Sequence, residues 1–191
     1  MADQVFALID AVCARYPIDT SRIILTGHSM GGTGTWALAA LAPKRFSCIV
    51  PMSGSVTLTR RNQEALAKLP IWAFAAADDK VVDPASSADG ISRLNAAGAQ
   101  ARLTVFEGAE HRDVPALAWL DEELGLLSWM LTQQRSIRLA EGDSPVCRQP
   151  VLSKEIWSDG RRDSGHTNHQ QAHKRLSAER RVDRFRCESE C

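Results

Sequence analysis

A short apolar run, Arg22-Ile23-Ile24-Leu25-Thr26, passes directly into Gly27-His28-Ser29-Met30-Gly31-Gly32, and that turn opens into an Ala-, Leu- and Trp-rich stretch from Thr33 to Leu41. An unbroken apolar run is what a parallel strand buried on both faces requires. The same unit recurs along the chain. Strands are predicted at Phe46 to Met52, Ile71 to Ala75 and Ala101 to Phe106. Helices are predicted at Ala7 to Ala14, Thr33 to Leu41, Gln63 to Lys68 and Ser86 to Ala97, with one long final helix from Ala116 to Leu131. Strands alternating with helices mean βαβ units on a parallel sheet, so the fold class is α/β.

The turn after the first strand is also the first candidate for chemistry. A sharp strand-to-helix turn forces its serine into strained backbone, tolerable only if the residues two before and two after lack bulk; Gly27 and Gly31 meet that condition, and Gly32 lets the helix pack close. Ser29 would then stand at the C-terminal edge of the sheet, with the Met30 N–H and the helix N-terminus placed to stabilise an oxyanion. The same six residues also fit a plain glycine-rich turn or a phosphate cradle. A serine nucleophile needs a base, and the base needs an orienting group. Loops after the third and fourth strands supply both, at Ala77-Asp78-Asp79-Lys80-Val81-Val82-Asp83-Pro84 and Glu107-Gly108-Ala109-Glu110-His111. The order serine, acid, histidine along the chain puts His111 as base and Asp79 as its acid, with Asp78 and Asp83 as alternatives; singly, Asp79 could be a turn residue and His111 a solvated one. Trp36, Trp72 and Trp129 read as core, and Trp119 as a candidate for the pocket mouth.

Composition divides the chain. About 51% of residues 1–134 belong to the set AVILMFWYC, against about 28% of residues 135–191, too little apolar matter to offset the entropy of ordering. The expectation is a folded domain at 1–134 and a polar, disordered tail at 135–191. Net charge is zero, with 23 basic and 23 acidic residues, which speaks against a nucleic-acid binder working by bulk positive field. No apolar run is long enough to span a bilayer, and Met1-Ala2-Asp3-Gln4-Val5 is not the start of a signal peptide, so neither membrane nor secretion is expected and the chain as given reads as cytoplasmic. Five cysteines without a CxxC pair do not make a disulfide framework. His166, His169 and His173 with Cys187 and Cys191 could suggest zinc, but their spacing matches no finger and their segment is aperiodic; no metal and no cofactor is expected.

Residues from Tyr16 to Gln134 resemble an α/β-hydrolase, within the group of predicted peptidases and esterases related to prolyl oligopeptidase, dienelactone hydrolase and polyhydroxybutyrate depolymerase. The resemblance is carried by Arg22 to Gly32, Gly34-Thr35-Trp36, Val50-Pro51-Met52-Ser53-Gly54, Leu69 to Phe74, Asp79 with Val81-Val82, His111 and Leu127 to Leu131. It implies a three-layer parallel-sheet core. It also implies a triad of Ser29, Asp79 and His111, and acyl transfer from a small ester or peptide substrate to water. Such proteins commonly carry a His-Gly pair before the acid loop, where Ala75-Ala76 stand here. They also place several strands before the elbow strand, and one of these is followed by the loop that donates the second oxyanion N–H. One helix precedes it in this chain. The resemblance therefore implies the C-terminal half of the sheet, about four strands, and an open edge through which copies could self-associate. The alternative is a catalytically inactive hydrolase fragment acting as an interaction module.

Overall fold

The computed structural model describes residues 2–135. In chain order they form α1 (Ala2–Arg15), β1 (Ile24–His28), α2 (Met30–Leu41), β2 (Cys48–Met52) and α3 (Arg60–Leu66). Then come β3 (Ile71–Ala76), α4 (Pro84–Ala96), β4 (Ala101–Phe106), α5 (Val114–Leu120) and α6 (Leu126–Thr132). The four strands make one parallel sheet in the order β1-β2-β3-β4. This is the α/β architecture expected, with the strand that carries the serine turn at one edge.

Side chains alternate between two cores, one on each face of the sheet. Cys48, Val50 and Met52 of β2 with Trp72, Phe74 and Ala76 of β3 face α5 and α6, where Val114, Ala118, Leu126 and Met130 cover them. Ile49, Ile71 and Ala73 point the other way, onto Trp36 and Ala39 of α2, Leu66 of α3 and Ile91 and Leu94 of α4. Three layers result, and the strand period of two is the reason. Pro51 interrupts the pattern inside a central strand. It has no N–H to give, and β2 is in register with β3 only at Ile49↔Ile71 and Met52↔Phe74. Cys48 is fully buried among these residues, and that burial pushes its thiol up to about 11.

The structure corrects several expected boundaries. β1 begins at Ile24, not Arg22, because Arg22 ends a 3-10 turn capped by Asp19, whose side chain accepts from the Ser21 N–H. It then runs through Gly27 and His28 in register with Pro51 and Met52. α2 begins at Met30 rather than Thr33, so the turn has no slack. The single helix expected from Ala116 to Leu131 is two short helices. Asp121 accepts from the N–H groups of Glu123 and Leu124, and Gly125 takes a left-handed φ of 66°, so the chain leaves helical geometry between them. Arg135 bonds back to the carbonyls of Thr20, Ser21 and Lys44. The expected tail, including His166, His169, His173, Cys187 and Cys191, lies outside the described residues from 136 onward. No helix among the described residues is long and apolar enough to cross a membrane.

One contact fixes α2 on the sheet. A Cβ on Gly32 would stand 2.4 Å from the carbonyl oxygen of Met52, and one on Gly54 would stand 2.3 Å from the carbonyl carbon of Gly32. Both neighbours are backbone and have no rotamer to yield. Gly54→Ala should therefore lower the free energy of urea unfolding by about 3 kcal/mol, whereas an alanine at Gly34, inside α2 and facing open space, should raise it by about 0.5–1 kcal/mol. Equal effects at the two positions would contradict this packing.

Candidate active site

The turn from β1 to α2 holds Ser29 at φ 58°, ψ −119°, a backbone conformation unfavourable for any residue with a side chain. Two hydrogen bonds maintain it. The Ser29 N–H donates to the Met52 carbonyl at 2.9 Å, and its own carbonyl accepts from Thr33 N–H at 3.0 Å. Gly27 is needed here, since its Cβ would lie 2.5 Å from the Gly31 carbonyl oxygen. Gly31, expected to be needed equally, has open space where a Cβ would go. The steric demand therefore falls on Gly27 and Gly32. Met30 begins α2 and is 87% exposed, and its N–H is one of the first-turn donors that no helical carbonyl can accept.

Two loops converge on this turn. His111 Nε2 lies 2.8 Å from Ser29 Oγ, and His111 Nδ1 lies 2.7 Å from Asp79 Oδ2. A carboxylate only accepts, so Nδ1 carries the proton and the neutral ring leaves Nε2 free to accept from the Ser29 hydroxyl. Asp79 follows β3 with its side chain 1% exposed. Burial pushes its carboxyl up, but hydrogen bonds from the Val82 N–H, His111 and the Val81 N–H, with a contribution from Ser53, outweigh that and hold it below its ordinary value. Both valine amides donate to Oδ1 at 2.9 Å.

The hydrogen bond to His111 goes to Asp79 and to neither alternative. Asp83 accepts from the Ala85 N–H and caps α4 ahead of Pro84. Asp78 ties its N–H to the Ala109 carbonyl and lines an open cleft of about 560 Å³ with Lys80, Val81, Glu110, His111 and Arg112. Two bases and two acids among those residues give the cleft no dominant sign. Trp119, expected near a pocket mouth, is on α5, 43% exposed, and does not line this cleft. Trp36, Trp72 and Trp129 pack in the two cores. Among the described residues no cluster of three or more His, Cys, Asp or Glu could hold a metal ion.

The roles of two residues are not readable from the sequence, although His28 belongs to the six-residue turn and Ser53 to the stretch Val50 to Gly54. Ser53, to which the sequence assigns no role, sits buried at φ 43° with its N–H on the Phe74 carbonyl. Its hydroxyl has no partner of good hydrogen-bond geometry, so its influence on Asp79 is that of a near dipole rather than a formed bond. His28 turns its ring to the His111 loop, with Nε2 2.8 Å from the His111 carbonyl oxygen.

In sequence, the profile of the dienelactone hydrolase family matches residues 1–112. No curated protein sequence matches the chain. Among solved structures, a thermostable esterase is 29% identical with a TM-score of 0.64, the match covering 69% of this chain and 36% of that one. SOBER1 of Arabidopsis thaliana is 23% identical with a TM-score of 0.52, covering 69% and 62%. Esterase PE8 is 22% identical with a TM-score of 0.55, covering 68% and 61%. The last two show a shared fold. This chain spans less than two thirds of the length of each of the three.

A carboxylate whose folded value is depressed adds stability above its unfolded value, and that stability is lost as pH falls through the folded one. Unfolding free energy should therefore drop between roughly pH 5 and pH 2, and Asp79→Asn should make that dependence shallower. A pH dependence unchanged by the substitution would contradict the account of this carboxyl.

Proposed function

Because the chain belongs to the dienelactone hydrolase family, we propose that it is a serine hydrolase that cleaves carboxylic esters, and by the same chemistry peptides, through an acyl-enzyme on Ser29. The observation that carries this reading is the unbroken relay from Ser29 Oγ through His111 to Asp79, at 2.8 and 2.7 Å. Ser29 Oγ attacks the substrate carbonyl carbon as its proton passes to His111 Nε2, and the carbonyl oxygen becomes an oxyanion within reach of the Met30 N–H. Collapse of this intermediate breaks the ester bond. His111 returns the proton to the leaving alcohol, and the acyl group stays on Ser29. Water then attacks the acyl carbon, giving its proton to His111, and the acid departs as Ser29 recovers its hydrogen. Asp79, charged and buried, holds the imidazole in the one tautomer that can do this and offsets the charge of the imidazolium.

One oxyanion donor on its own leaves the transition state short by about 2.7–4 kcal/mol of what two supply. In the proteins that this chain resembles, a second donor comes from a loop that precedes the strand carrying the serine. A second reading follows from the position of β1 at the sheet edge: a hydrolase-like scaffold that associates, with a second copy of itself included, without turning over substrate.

Initial rates with short p-nitrophenyl esters separate the two. The enzyme reading expects saturable hydrolysis that Ser29→Ala lowers at least about a thousandfold in kcat/KM. A folded chain with no hydrolysis above background, eluting as an oligomer in gel filtration, would favour the second. Hydrolysis unaffected by Ser29→Ala would overturn the assignment of the nucleophile.

A further inference from the structure

We propose that His28, the residue before Ser29, is a positioning residue that clamps the loop carrying His111 onto the turn carrying Ser29. The inference rests on the reading of Ser29, His111 and Asp79 as the reacting groups. His28 Nε2 is 2.8 Å from the backbone carbonyl oxygen of His111. A carbonyl only accepts, so Nε2 carries a proton and donates. The imidazoles also meet face to face at a tilt, their centroids 4.6 Å apart and their planes at 41°. His28 therefore holds His111 twice, by its backbone and by its ring.

That carbonyl is open to such a partner for a local reason. The His111 carbonyl begins a 3-10 turn, His111–Asp113, whose pattern bonds it to the N–H three residues on. The further donor that an α-helix would bring four residues on is missing, because that residue is Pro115, so one lone pair is left. The His28 ring supplies a donor there, from a residue 83 positions away in the chain.

The tie matters because of where the two loops start. Ser29 follows β1 and His111 follows β4, the opposite edges of the sheet. Their alignment would otherwise depend on the accumulated twist of four strands and on Asp79, which follows β3. His28 links the two directly, one residue from the nucleophile. Misplacement of a reacting group by about 1 Å can cost on the order of a hundredfold in rate, so a single hydrogen bond that fixes the base loop is worth a measurable factor in turnover.

Two substitutions test it. His28→Phe keeps a flat ring and removes the donor; His28→Gln removes the ring and keeps an amide donor at nearly the reach of Nε2. Both are measured beside the wild type for p-nitrophenyl ester kinetics and for deuterium uptake in peptides spanning residues 107–114, with a thermal melt to establish that each is folded. We expect His28→Phe to lower kcat roughly tenfold or more with KM within about twofold, and to speed exchange over residues 107–114. His28→Gln should restore most of both. Exchange in His28→Phe equal to the wild type overturns the proposal, as does a His28→Gln that exchanges as fast as His28→Phe. Should the wild type hydrolyse no ester, the kinetic result counts against the proposed function, and the exchange comparison alone decides for or against the clamp.

Discussion

The site depends on one close approach of backbone to backbone. The first turn of α2 lies against the end of β2 with no side chain between them, because Gly32 and Gly54 leave that space empty and the Met52 carbonyl fills it. The same carbonyl accepts the Ser29 N–H. Together these contacts hold Ser29 at a positive φ that costs on the order of 1–3 kcal/mol. A lone turn could not hold it. The strain persists because α2 is anchored elsewhere, with Trp36 and Ala39 buried against β2 and α3. The geometry of one hydroxyl is thus underwritten by the packing of a whole layer.

The carboxylate end of the relay is held by the opposite means, polar contacts in place of packing. Asp79 is almost wholly buried, which on its own would favour the protonated acid. Two backbone N–H groups and an imidazole N–H reverse that preference. With both oxygens already satisfied, the carboxylate need not reorganise as charge develops on His111. The imidazole between these anchors is fixed at both ring nitrogens.

Much of this was legible in the sequence wherever the constraint is local. Gly27 and Gly32 declare a tight strand-to-helix turn, and the apolar runs at β2 and β3 declare strands covered on both faces. The order of Ser29, Asp79 and His111 along successive strand ends followed from that pattern. The choice among Asp78, Asp79 and Asp83 did not, since all three stand on one loop and only the folded chain shows which faces His111. Asp83 could have been set aside, because Asp followed by Pro84 is a signature of a helix start. The break at Asp121 to Gly125 was equally written there, in an Asp that competes with helical hydrogen bonds and a glycine; the apolar periodicity of residues 116–131 masked it. Gly31 misled in the other direction, since its place in the motif suggested a steric need that the helix geometry removes. Ser53 and His28 stand inside motifs that the sequence does show, but nothing local says what they touch. Their importance comes from residues distant in the chain.

The central claim is that a strained, preorganised turn makes Ser29 a nucleophile. The most direct test is labelling of the native chain with a fluorophosphonate, which reacts with activated serines, followed by peptide mass spectrometry and a heat-denatured control. The account predicts modification at Ser29, abolished by heat and strongly reduced in His111→Ala. Folded protein that remains unlabelled at Ser29, or that labels equally after denaturation, would contradict it.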